Sequence, residues 1–224
     1  QLKPLTPYGA PQVSATARLN TNENPYGPTK ELSAAIAKRV AEVAETLNRY
    51  PDRDAIKLRK GLADYLNTQS GIQLTFENIW AANGSNEILQ SVFLAFGSAT
   101  ALGFVPSYSM HPLIGKVANV DWIEGERNSD FSLNINMAIK QISEFKPALT
   151  FITTPNNPTG SALSIIEIEE LAKATAKVNG LLVVDEAYAE FSKEKSAITL
   201  IDKYPNVLVS RTMSKAFAFA GVRL

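Results

Sequence analysis

Apolar positions recur along these 224 residues at two periods. From Asn86 to Phe96, Ile88, Leu89, Val92, Phe93 and Phe96 fall on one face of a 3.6-residue repeat, which predicts an amphipathic helix. The same spacing predicts helices over Lys30–Leu47, Ile56–Gln69, Ile135–Glu144 and Ile165–Lys177. The last opens on Ser164-Ile-Ile-Glu167, where each side chain can satisfy the other's backbone N–H, and sets Ile165, Ile168, Leu171 and Ala172 on one face. Short unbroken apolar runs predict buried strands at Ala101–Phe104, Leu149–Thr153, Leu181–Asp185 and Val207–Arg211. One more short strand is expected from Ile79, just ahead of the Asn86 helix. Arg18–Pro28, rich in Asn and Pro, suits neither period and reads as an irregular segment laid over the domain. Alternating helices and strands without internal repeats indicate an α/β architecture.

Composition narrows the function classes without choosing one. Lys plus Arg equals Asp plus Glu, and 45% of residues are hydrophobic, so no bulk charge draws the chain to nucleic acid or an anionic membrane. No cysteine means no disulfide framework and no thiolate metal site. No apolar run approaches the roughly 18 residues of a membrane span, and no signal-peptide pattern opens the chain, so a cytoplasmic protein is expected.

The candidate chemistry sits where predicted strands end. Leu181-Leu-Val-Val-Asp185-Glu-Ala-Tyr188 places a carboxylate at the carboxyl edge of a buried parallel strand, where open α/β sheets bind ligands. Capping of the next loop is the plainer role for Asp185. Leu149–Thr153 runs into Pro155-Asn-Asn157-Pro-Thr-Gly160, a stiff turn that presents amide side chains. Gly84-Ser85-Asn86 stands at a helix start, suited either to ordinary capping or to a phosphate on the helix dipole. Ser210-Arg-Thr-Met-Ser-Lys215 sets one lysine among hydroxyls and small apolar residues, with Arg223 eight positions on. Apolar flanks make an amine harder to protonate and so more nucleophilic, while Thr212, Ser214 and Arg223 offer donors for a phosphate.

In this order, the segments resemble the pyridoxal-phosphate (PLP) aminotransferases of the aspartate aminotransferase fold. Leu19-Asn-Thr-Asn22-Glu-Asn-Pro-Tyr-Gly-Pro28, Asn48-Arg-Tyr50-Pro-Asp52 and Pro7-Tyr8-Gly9 are similar to the histidinol-phosphate aminotransferase branch. The resemblance implies the large domain of fold type I: three layers, with a mixed, mostly parallel sheet flanked by helices. It implies that Lys215 bonds the PLP aldehyde and shuttles the proton, and that Asp185 pairs with the pyridine nitrogen. Asn157 and Tyr188 would bond the ring's phenolic oxygen, and Tyr108, in Phe104-Val-Pro106-Ser-Tyr108, would stack on the ring. Ser85, Asn86, Thr212, Ser214 and Arg223 would hold the phosphate, with Tyr50 reaching the neighbour's phosphate across a homodimer. Tyr8, Asn22, Tyr108 and Asn157 would contact substrate. The implied reaction moves an amino group between L-histidinol phosphate and 2-oxoglutarate, giving imidazole-acetol phosphate and glutamate in histidine biosynthesis.

Family members continue well beyond Leu224, so an arm at 1–28, an incomplete large domain at 29–224 and no small C-terminal domain are expected, with little activity from this stretch alone. Other functions stay open: a threonine-phosphate decarboxylase, an aromatic aminotransferase, a non-catalytic aminotransferase-like module, or a plain nucleotide-binding domain. Several residues take plainer roles. His111, the only histidine, reads as packed or surface rather than as a catalytic base. Asp185 and Glu186, adjacent on a strand, point to opposite faces and form no carboxylate pair. Trp80 and Trp122 read as core or interface anchors, and no metal site is expected.

Overall fold

A computed structural model describes residues 9, 11, 13–96 and 100–224. The helices are α1 (Lys30–Ala44), α2 (Ile56–Ser70), α3 (Ser85–Phe96), α4 (Met110–Val117), α5 (Ile135–Phe145) and α6 (Ile165–Lys177). The strands are β1 (Thr100–Val105), β2 (Asp121–Glu126), β3 (Leu149–Thr153), β4 (Leu181–Asp185) and β5 (Val207–Ser210). They form one sheet in the order β2-β1-β3-β4-β5, and every pairing among the described residues is parallel.

Strand alternation divides the core between the two faces of the sheet. Leu102, Phe104, Ile152, Leu182 and Val184 pack with Ala138 and Ile142 of α5 and Ile168, Leu171 and Ala172 of α6. Ala101, Leu149, Phe151 and Val183 pack with Leu89, Val92 and Phe93 of α3 and Ile114 of α4. Phe93 and Phe151 stack at a centroid separation of 4.8 Å. The result is a helix-sheet-helix sandwich whose strand order reverses between β1 and β3, which opens a crevice at their carboxyl ends.

The predicted helices and four predicted strands are all present, with boundaries shifted by up to three residues. α6 begins as spelled: Glu167 N–H donates to Ser164 Oγ at 3.4 Å, and Ser164 N–H donates to Glu167 Oε2 at 2.7 Å. α4 was not among the predicted helices, and two strand-level expectations differ. The segment from Ile79 forms no strand and joins no ladder of the sheet among the described residues. Trp80 on it is 59% exposed, so it is not a core anchor. β2 was not expected, since Asp-Trp-Ile-Glu-Gly-Glu at an edge carries too many polar residues to read as a buried run. Gly103 of β1 makes room for its neighbour, because a Cβ there would collide with the Trp122 indole.

Candidate active site

β4 delivers Asp185 to the crevice on the α3/α4 side of the sheet, since it continues the alternation of Leu181 and Val183. The side chain is buried; its Oδ1 accepts from Ala187 N–H at 3.1 Å and its Oδ2 lies 2.9 Å from His111 Nε2. A carboxylate only accepts, so the proton of this bond sits on Nε2. His111, on α4, is 2% exposed and packed against Phe151, Trp122 and the edge of Tyr108, whose ring centroid is 5.4 Å away. It is the functional residue the sequence did not reveal: packed, as expected, but bonded to Asp185. Only the helical spacing of Tyr108 and His111 hinted at a shared face.

Tyr108 Oη donates to Asn86 Oδ1 at 3.3 Å, which links the loop after β1 to the first turn of α3. That first turn presents backbone N–H groups without intrahelical acceptors. Gly84, at φ 80°, stands immediately before it, and a Cβ there would strike the Arg223 guanidinium. Arg223 Nη1 donates to Ser214 Oγ at 3.3 Å, and Thr212 Oγ1 lies 3.1 Å from that same hydroxyl. Ser85, Asn86, Thr212, Ser214 and Arg223 therefore gather at one end of the crevice, around a cationic group and a helix N-terminus.

Lys215 lies half-buried beside them. Its Nζ donates to the Thr21 carbonyl at 2.9 Å and sits 5.7 Å from the centre of the Tyr188 ring. Burial lowers its proton affinity, Glu23 works in the opposite direction, and Arg223 lowers it further. Asn22 donates from Nδ2 to Tyr188 Oη at 3.0 Å, and Asn24 donates to the Ala216 carbonyl at 3.1 Å, so residues 21–24 cross the crevice as a strap. Asn22, Asn157 and Tyr188 line one cavity of about 440 Å³. The neighbouring amide serves the loop itself. Asn156 donates to the Pro106 carbonyl at 3.0 Å and to Thr159 Oγ1 at 2.8 Å, pinning the turn that carries Asn157.

The structure thus brings together Asp185, Asn157, Tyr188, Tyr108, Ser85, Asn86, Thr212, Ser214, Lys215, Arg223 and Asn22. It does not bring in Tyr50, which is fully exposed between α1 and α2, and Tyr8 lies outside the described residues. Among the described residues no cluster of His, Asp and Glu is arranged to hold a metal ion. A larger cavity, about 650 Å³, is an apolar slot beside β5.

An amine of lowered basicity, a buried carboxylate at a sheet switch point and an anion cradle suit a phosphorylated aldehyde cofactor. The histidinol-phosphate aminotransferases of Mycobacterium marinum and Nocardia farcinica are 53% and 54% identical over 226 residues, covering this whole chain. The chain spans only 58% of each of those relatives. A solved histidinol-phosphate aminotransferase from Sinorhizobium meliloti, in complex with pyridoxal-5'-phosphate, superimposes with a TM-score of 0.77 at 25% identity, over 91% of this chain and 53% of that one. Aspartate aminotransferase from Thermus thermophilus shares the fold with a TM-score of 0.80 at 21% identity, over 92% and 54%. The sequence profile described as aminotransferase class I and II matches residues 16–224, and the chain belongs to that family.

Proposed function

We propose that the protein carrying these residues is a PLP-dependent aminotransferase that exchanges an amino group between L-histidinol phosphate and 2-oxoglutarate. The observation that carries this reading is Lys215, an amine of lowered basicity held between the Arg223 cradle and the Tyr188 ring. The substrate class draws on the relatives, which are named histidinol-phosphate aminotransferases at about half identity.

The residues present fit the cofactor. Arg223, Ser214, Thr212 and the Ser85–Asn86 turn would hold its phosphate, with Gly84 leaving the guanidinium room. Asp185, kept oriented by His111 and Ala187, would hold its ring nitrogen, while Asn157 and Tyr188 would hold its phenolic oxygen and Tyr108 would cover the ring. Bound there, the cofactor supplies an electron sink for the bonding pair of a substrate C–H bond. Lys215 Nζ takes the proton from the substrate's α-carbon and moves it on as general acid. The strap at 21–24 shields that amine from water and carries Asn22 toward the substrate. A cytoplasmic homodimer completes this reading, with fully exposed Tyr50 reaching the neighbour's phosphate site and Tyr8 contacting substrate.

The test is a visible absorbance spectrum with added PLP, before and after borohydride, in the wild type and in Lys215→Ala. A band fixed by borohydride and absent from the variant is the expected outcome; its absence from the full-length wild type sinks the assignment. Turnover of histidinol phosphate well above that of threonine phosphate and phenylalanine then separates this substrate from the rivals.

A further inference from the structure

Beside Asp185 stands a second buried acid that takes no part in holding the cofactor. Glu186 is 2% exposed on the opposite side of the strand end. Ser196 Oγ donates to it at 2.6 Å, Ala197 N–H donates to it at 2.7 Å, and Arg211 Nε lies 3.2 Å away as an ion pair. The same guanidinium donates from Nη1 to Glu190 at 2.8 Å and from Nη2 to Gln69 of α2 at 3.4 Å. Tyr65 of α2 reaches Glu190 at 3.5 Å, and its ring meets Phe217 edge-on at 5.5 Å. A guanidinium that donates to Glu190 from Nη1 and lies against Glu186 as an ion pair has little freedom.

The location gives this bracket its meaning. Asp185 and Ser210 are register partners on β4 and β5. From Ser210 the chain leaves the sheet and must bring Lys215 to the crevice through non-helical backbone. Arg211 is the first residue of that stretch. Phe217, two residues past the lysine, is held by Tyr65 from the same network. We propose that Arg211, gripped between Glu186 and Glu190, is a positioning residue for Lys215. The pair Asp185-Glu186 divides the work: one acid faces the cofactor, and the next anchors the segment that carries the amine. This rests on the reading of Lys215 as the cofactor lysine.

The dependent step is attachment of the cofactor aldehyde, in which the unprotonated Nζ bonds to the aldehyde carbon and the aldehyde oxygen leaves as water. Pyridoxamine 5'-phosphate has an amine in place of the aldehyde, so it fills the cradle without reacting with Lys215. In the intact protein we expect Arg211→Met to slow attachment of PLP about 10- to 100-fold, the scale on which a displacement of about 1 Å acts. Half-saturation by pyridoxamine 5'-phosphate should stay within about twofold, because the Arg211 side chain donates to Glu190 and Gln69 and to none of the cradle side chains. Arg211→Lys restores part of the rate. A merely structural role moves both readouts or neither, and that result overturns the proposal. Should Arg211→Met fail to fold, Glu190→Gln removes one arm of the bracket at constant volume; slower attachment with unchanged analogue binding supports the proposal, and an unchanged rate overturns it. Failure of the wild type to attach PLP overturns the Lys215 assignment itself, a different failure from equal rates in wild type and variant.

Discussion

His111 and Asp185 are 74 positions apart in sequence and 2.9 Å apart in the fold. Replacing His111 by Phe keeps a ring among Phe151, Trp122 and Tyr108 but removes a donor from a buried carboxylate. A lost hydrogen bond to a charged group costs about 2 kcal/mol, so urea unfolding of His111→Phe should show a loss of that size, with His111→Gln losing less. A His111→Phe variant as stable as the wild type would mean that ring packing alone accounts for the histidine. The pairing also marks the limit of the sequence. That Asp185, Asn157 and Lys215 would stand at the sheet's carboxyl edge was legible because each lies at the end of a recognisable run or turn, and local pattern carries that information. Which side chain meets Asp185 was not, because it depends on how α4 lies against β3 and β4, and periodicity gives a helix a face without a neighbour.

The helices and buried strands were legible for a physical reason: their faces are uniform. α6 combines an apolar stripe with reciprocal capping, and both its predicted bounds, Ile165 and Lys177, are the observed ones. Its cap is testable by itself. Ser164→Ala removes the acceptor for Glu167 N–H and frees one end of the box, which should cost about 1 kcal/mol, read as a lower denaturation midpoint at an unchanged slope. Glu167→Gln keeps the reciprocal geometry and should cost less. The two strand-level disagreements have a common origin at the sheet's margins. β2 is an edge strand whose exposed positions are polar, so it forms no unbroken apolar run to read as a strand. The Ile79 segment has strand-like residues but no ladder partner, because propensity does not make a strand without a neighbour.

At the scale of the molecule, that unpaired segment and β5 border the same space. The slot of about 650 Å³ is lined by Ile79, Trp80, Leu208 and Val209, with Leu62 and Leu66 of α2 and Ile88 and Phe96 of α3 closing its sides. Trp80 is 59% exposed and Phe96 is 53% exposed, so aromatic surface stands beside an open strand edge. Such an edge invites pairing with another chain, and contiguous apolar surface of this kind promotes association. A polypeptide of these 224 residues alone should therefore bind an apolar dye such as ANS and sediment as a concentration-dependent mixture of species. Phe96→Lys, which places a charge at the slot's rim without touching the crevice, should reduce both signals. Dye binding and sedimentation that Phe96→Lys leaves unchanged would locate the association on another surface, the exposed stripe Leu32, Ile36, Val40 and Val43 of α1 being the next to test. Phe96 closes α3 at the end opposite Ser85 and Asn86, so PLP binding by the cradle should be insensitive to Phe96→Lys even where self-association is not.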